Sequence, residues 1–187
     1  MRLILLSLAL AIIVGLLAGG TLREFPTIAI RWGWLALAGV LLQFSPAHGT
    51  GGALLLLLSF ALLFVFAVAN LRTPGFILIL AGLCLNLLVI AVNQGMPVTR
   101  EALVRSGQAG TLTDLVQHGG SKHHLADDDS VLLPLGDVIA IGWPVDQVVS
   151  VGDICVHLGV GWFIVVAMLP RRRPSTVPET PARTRIA

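Results

Sequence analysis

Five long apolar runs constrain this chain more than any other feature. They cover residues 3–19, 32–47, 52–70, 76–93 and 148–169, and each is 16 to 22 residues long. A helix needs about 20 apolar residues to cross bilayer hydrocarbon. Backbone groups in hydrocarbon must pair within their own segment, so runs of this kind fold as helices. Charged residues make up only 12% of the chain, roughly half the usage of a soluble domain, and the mean hydropathy is +0.90. The sequence therefore predicts an all-α membrane protein: a bundle of about five transmembrane helices forming one domain over residues 1–170. The first run resembles the core of a secretory signal, but Gly19-Gly20-Thr21-Leu22 is a poor cleavage site. It is read as a retained helix.

Residues 94–147 have the composition of an aqueous loop, with Arg100, Glu101 and Arg105, glycines at 107, 110, 119 and 120, and Asp127 to Asp129. A loop of this length without a core of its own points to function or disorder. Its last part, 131–147, is apolar but interrupted by Pro134, Gly136, Gly142 and Pro144. Those breakers argue for a re-entrant or interfacial segment rather than a full crossing. The Pro- and Arg-rich tail, 171–187, is expected to be a disordered cytoplasmic segment. With five crossings, one side holds Arg23, Arg31, Arg72, Arg171, Arg172, Arg173, Arg183 and Arg185, and the other holds Arg2, Arg100, Arg105 and Lys122. Eight basic residues against four favour a cytoplasmic C-terminus and an outward N-terminus. The expected location is the bacterial inner membrane, with the 94–147 loop facing out.

Other classes are poorly served. With a single lysine and arginines clustered at membrane edges, the chain has no nucleic-acid surface. Cys84 and Cys155 fall within apolar runs and read as small packing residues. Tyrosine is absent, which excludes a tyrosyl catalytic group. There is no phosphate loop or dinucleotide fingerprint, and no cofactor is implied.

The chemistry-bearing residues lie in the second half. His118, His123, His124 and the three aspartates offer metal-ligand types, but their spacing matches no recognised motif, so no metal site is expected. Asn86 and Asn93 share one face of their helix and could either bridge helices or look across at Asp153. Two Gly-Asp steps, Gly136-Asp137 and Gly152-Asp153, flank the start of the last apolar run. For Asp137 the simpler reading is a helix cap or a turn. Asp153 lies about one turn into the apolar run, with His157 four residues on, and a purely structural role fits it less well.

The ordered set Asn93-Gln94-Gly95-Met96-Pro97, His123-His124, Leu135-Gly136-Asp137 and Ser150-Val151-Gly152-Asp153 resembles an uncharacterised family of small bacterial multi-pass membrane proteins. That resemblance implies a membrane fold and an envelope location, and no reaction. The stretch from Trp143 to Gly159 is similar to the final motif of signal peptidase II, Asn-x-x-Asp followed by an apolar helix. This resemblance implies a catalytic role for Asp153, paired with Asp137. Ser150 stands where that family has asparagine, and no Gly-Asn-x-x-Asp-Arg precedes it.

Three functions are compatible with this pattern. The leading one is a membrane protein with a polar site at the outer face, built from Asp137, Asp153, Asn86, Asn93, His123, His124, Ser150 and His157, that binds or acts on a lipid or membrane peptide. The second is an intramembrane aspartyl hydrolase using Asp137 and Asp153. The third is a proton-coupled transporter relaying through Asp153 and His157.

Overall fold

The computed structural model describes residues 2–27, 29–44, 49–118 and 122–170. The expected tail, 171–187, lies outside them. Four helices come first: α1 (Arg2–Leu17), α2 (Gly33–Gln43), α3 (Gly49–Ala69) and α4 (Phe76–Asn93). A mixed segment follows, with β1 (Met96–Val98), α5 (Arg100–Arg105), α6 (Ala109–His118), β2 (His123–Leu125), β3 (Ile139–Ile141) and β4 (Gln147–Val149). The last helix is α7 (Val151–Met168). Among the described residues, α4 and α7 are long and apolar enough to cross a membrane.

The long helices pack in the order α2, α3, α4, α7, α1. The α4–α7 contact is the closest, and its cause is visible in the sequence. Gly75 at the N-cap of α4 and Gly82 within it meet Gly159 and Gly152 on α7, and a Cβ on any of the four would run into the backbone carbonyl of its partner. Both helices space these glycines seven residues apart in opposite directions, so the small faces coincide twice. Such contacts let backbones approach and dispersion forces act over a long seam. Beyond the seam, Phe66, Phe76 and Phe163 stack edge to face with centroids 5.3 and 5.8 Å apart. On the other side of α7, Gly15 leaves room for the fully buried Met168. Ser59 donates to the Gly39 carbonyl at 2.8 Å and joins α3 to α2. At the far end, Asn70 clamps the backbone of Arg31 through two 2.9 Å bonds.

Large apolar side chains cover the outside of this assembly. Leu5, Leu10 and Leu17 on α1, Trp34 and Leu37 on α2, Leu54 on α3, Ile77 on α4 and Leu158 on α7 are all exposed.

The 94–147 region differs from the loop the sequence suggested. It forms a small cap with its own core of Val98, Ala102, Leu103 and Val148, against which Leu112, Leu115, Leu125 and Ala140 pack. Strand β1 pairs in parallel with β2, Met96 opposite His123 and Val98 opposite Leu125. Its other edge bridges Asp137: the Asp137 N–H donates to the Pro97 carbonyl, and the Thr99 N–H donates to the Asp137 carbonyl. Proline has no N–H, so β1 can offer no further rung on that side upstream. The pairing stops at one residue. The 131–147 stretch, expected to be re-entrant or interfacial, is a 3-10 turn (Leu133–Leu135) followed by the antiparallel β3–β4 hairpin. Ala140 packs against the cap core, Val131, Leu132 and Trp143 are exposed, and Pro134 and Pro144 lie in turns. The all-α expectation is corrected to a mostly helical protein with short strands.

Candidate functional site

Helix α7 starts at a closed ring of hydrogen bonds. Ser150 is the N-cap: its Oγ accepts from the Asp153 N–H at 3.0 Å, while the Ser150 N–H donates to Asp153 Oδ2 at 3.1 Å. This is a capping box with aspartate in the role usually taken by glutamate or glutamine. Asn86 of α4 completes the ring. Its Nδ2 donates to Asp153 Oδ1 at 2.8 Å, and its Oδ1 accepts from Ser150 Oγ at 2.8 Å. The ring depends on the glycine seam, because Asn86 occupies the space a Cβ on Gly152 would need. Capping, the role the sequence suggested for Asp137, thus belongs to Asp153.

Asp137 is held quite differently. Its backbone is fixed by the bridge to β1, and Gly136 before it lies so close to the Pro97 carbonyl that a Cβ would not fit. The residue is 7% exposed, and its buried Oδ1 has no hydrogen-bond partner. The Oδ2 atom lies 3.4 Å from His123 Nε2, a long contact. Burial, with the nearby charge of Asp153 second, pushes the Asp137 carboxyl up to about 7. Burial also lowers the pKa of His123, opposed by Asp153 and reinforced by Lys122 and His124. The His123 side chain retains 52% of its free surface, and part of that surface faces the two cavities it lines.

The first of those cavities, about 120 Å³, lies where the ends of α2, α4 and α7 meet the cap. Asn86, Lys122, His123, Asp137 and Asp153 line it with Gln43, and Leu56, Phe60, Ile90 and Met96 supply apolar wall. The second, about 240 Å³, lies within the cap, and His123 and Asp137 form a wall common to both. Asp137, Asp153, Asn86 and His123 therefore share the inner cavity, with Ser150 bonded from behind.

Three other candidates lie elsewhere. Asn93 clamps Val131, accepting from its N–H and donating to its carbonyl at 2.8 Å each. His124 points to the opposite side of β2 from His123 and packs beside Gly95. His157 turns toward α1, where its Nδ1 lies 3.0 Å from Ser7 Oγ in an apolar groove of about 300 Å³. Sequence reasoning omitted Lys122 and Gln43 from the site. The signal for Lys122 was its place as the chain's single lysine, next to His123; for Gln43 it was an amide at the end of an apolar run. Among the described residues, no group of three His, Cys, Asp or Glu side chains is arranged to hold a metal ion.

Residues 27–165 match the model of a family of unknown function (DUF5317). The chain belongs to the DUF5317 family. An uncharacterized protein from Thermotoga maritima is 36% identical over 125 residues, covering 65% of this chain and 69% of the relative. No solved structure matches. The span matched to DUF5317 includes every residue lining the inner cavity and leaves out Ser7, the partner of His157.

Proposed function

We propose that this DUF5317 member is a multi-pass inner-membrane protein whose outward cap holds a two-carboxylate site for the polar end of a lipid or membrane peptide. The carrying observation is Asp137: a buried carboxyl with an unpartnered oxygen, in a cavity it shares with Asp153 where helix ends meet the cap. An unsatisfied buried oxygen costs about 1–3 kcal/mol, and such a cost is typical of groups kept for a ligand or a reaction. The apolar outer surface supports the membrane setting, since soluble monomers rarely expose large contiguous apolar patches. Alternation of the five long helices supports five crossings. Arg2 pairs with Asp146 of the cap at 2.6 Å, so α1 begins on the cap side, and the Thr21 N–H donates to the Met168 carbonyl at the other end.

Two measurements test this reading. In a background lacking Cys84 and Cys155, a cysteine at Thr113 should react with an impermeant maleimide in intact cells, and one at Thr21 should not; the reverse would overturn the orientation. Native mass spectrometry of protein extracted in mild detergent should show about one retained amphiphile per chain. The D137A/D153N double variant should retain none, and equal retention by the two proteins would refute the site.

Aspartyl hydrolysis is the second reading. Its support is the contrast between Asp137, whose carboxyl sits near 7 and can exchange a proton at neutral pH, and Asp153, anchored by Asn86 and the Ser150 N–H. Unequal carboxyls are what acid–base division of labour requires. The likeness of the last helix to signal peptidase II adds to it. Under this reading either single Asn substitution removes as much turnover of a membrane-peptide substrate as both together.

A further inference from the structure

We propose that the inner cavity recognises a primary ammonium group, carried by a lipid headgroup or by a free amine. This rests on the site assigned above and names the chemistry of its ligand. Two carboxylates line the cavity, and among the described residues neither has a lysine or arginine within ion-pair distance. Lys122 lies in the wall but pairs with neither. The missing interaction is also specific in kind. Asp137 Oδ1 is closed in and without a donor, and Oδ2 has only the long 3.4 Å contact to His123 Nε2, so the carboxyl keeps acceptor capacity on Oδ2; an ionised carboxylate can only accept. A ligand that completes the site therefore brings an N–H or O–H together with positive charge to balance Asp153. A quaternary ammonium has the charge but no donor; an alcohol has the donor but no charge.

The dimensions agree. A cavity of about 120 Å³ is well above the roughly 10–15 Å³ that one water needs, and it has room for an aminomethyl or aminoethyl end. Phe60 adds an aromatic wall that tolerates a cation, and Leu56, Ile90 and Met96 accommodate the methylenes behind it. Asn86 and Ser150 already satisfy the inner lone pairs of Asp153, so its remaining acceptor capacity is directed by that ring rather than free to rotate.

The test uses the full-length protein in nanodiscs of equal parts dioleoylphosphatidylethanolamine and dioleoylphosphatidylcholine, with retained lipid counted by native mass spectrometry. Ethanolamine lipid should be retained at least tenfold over choline lipid, and D153N and D137N should each remove that preference. Equal retention of both lipids, with no ethylammonium binding, would overturn the ammonium assignment while leaving the amphiphile site intact; retention of neither, with no amine binding, would overturn both. A second arm measures ethylammonium chloride and ethanol by calorimetry. Ethylammonium binding without lipid preference would assign the site to a free amine, and ethanol binding as tightly would refute the charge requirement. The groups facing Asp137 are His123 from β2, Lys122 just before it, and Asp153 from α7. With Asp137 titrating near 7, ethylammonium affinity should fall about tenfold per pH unit below that value if one proton leaves on binding; a flat profile would show that Asp137 is not a ligand. K122M should keep or raise affinity. Loss of binding in K122M would mean that the cavity recognises an anion through Lys122, and would overturn the proposal.

Discussion

The two aspartates at the junction of bundle and cap have similar sequence settings and opposite structural roles. Asp153 is built into the fold: both carboxyl oxygens accept hydrogen bonds, and its place at the start of α7 suits a negative charge. Asp137 is buried against the preference of its charge, with one oxygen unpartnered and its carboxyl pushed up to about 7. The contrast separates two kinds of buried carboxylate. One stabilises the structure that contains it. The other is held in place by its backbone, through the Pro97 and Thr99 bridge, while its side chain gains little. The second kind is where ligand or proton chemistry is to be sought.

The largest expected effect breaks the first half of the comparison. Gly152→Val would place branched carbon atoms where Asn86 Oδ1 and the Gly82 carbonyl lie, opening both the helix seam and the ring around Asp153. We expect a loss of about 3 kcal/mol or more, at the upper end for overpacked cores, read by thermal unfolding in detergent. A loss under about 1 kcal/mol would show that α4 and α7 do not meet at their glycines.

Asp137→Asn sharpens the second half, and here the sign is informative. A carboxyl raised from 3.8 to about 7 by burial costs the folded state nothing below the lower value. The cost grows through the window between the two values and is complete above the upper one. Wild type should therefore lose stability as pH rises through that window, and D137N should not. The shift sets an upper bound on the order of 4 kcal/mol at pH 8. Because the buried amide keeps part of the penalty, a gain of about 2 kcal/mol at pH 8 and almost none at pH 4 is expected from paired unfolding curves. Destabilisation at pH 8 would mean that Asp137 is supported as well as Asp153.

Ser7→Ala probes a polar contact outside the comparison. Ser7 Oγ already bonds the Ile4 carbonyl at 2.9 Å, so its loss to His157 should cost under about 1 kcal/mol and leave amphiphile retention unchanged. A change in retention as large as that of D153N would join His157 to the site.

Much of the helical part could be read from the chain, because a long apolar run pairs its backbone within itself and is decided by local composition. The apolar runs at 76–93 and 148–169 became α4 and α7 with boundaries moved by at most three residues. The seam between them was latent in the spacing of Gly75, Gly82, Gly152 and Gly159, although nothing local says which glycines face each other. The asparagines show the limit. Asn86 and Asn93 share a helical face, yet only Asn86 reaches Asp153; Asn93 lies two turns on, past the seam, and meets Val131.

The cap was hardest to read. Its strands are three residues long and its apolar positions too few for a period to emerge, so the region reads as a loop until distant segments are paired. The sequence by itself determined a mostly helical protein with long apolar helices, the helix that carries Asp153, and a region that brings histidines and a second aspartate near it. Tertiary structure alone decided which aspartate caps a helix and which is left with an empty oxygen. The physical reason is that satisfaction of a carboxylate depends on donors from other elements, Asn86 from α4 for one and only the long His123 contact on Oδ2 for the other, and no local pattern records those partners.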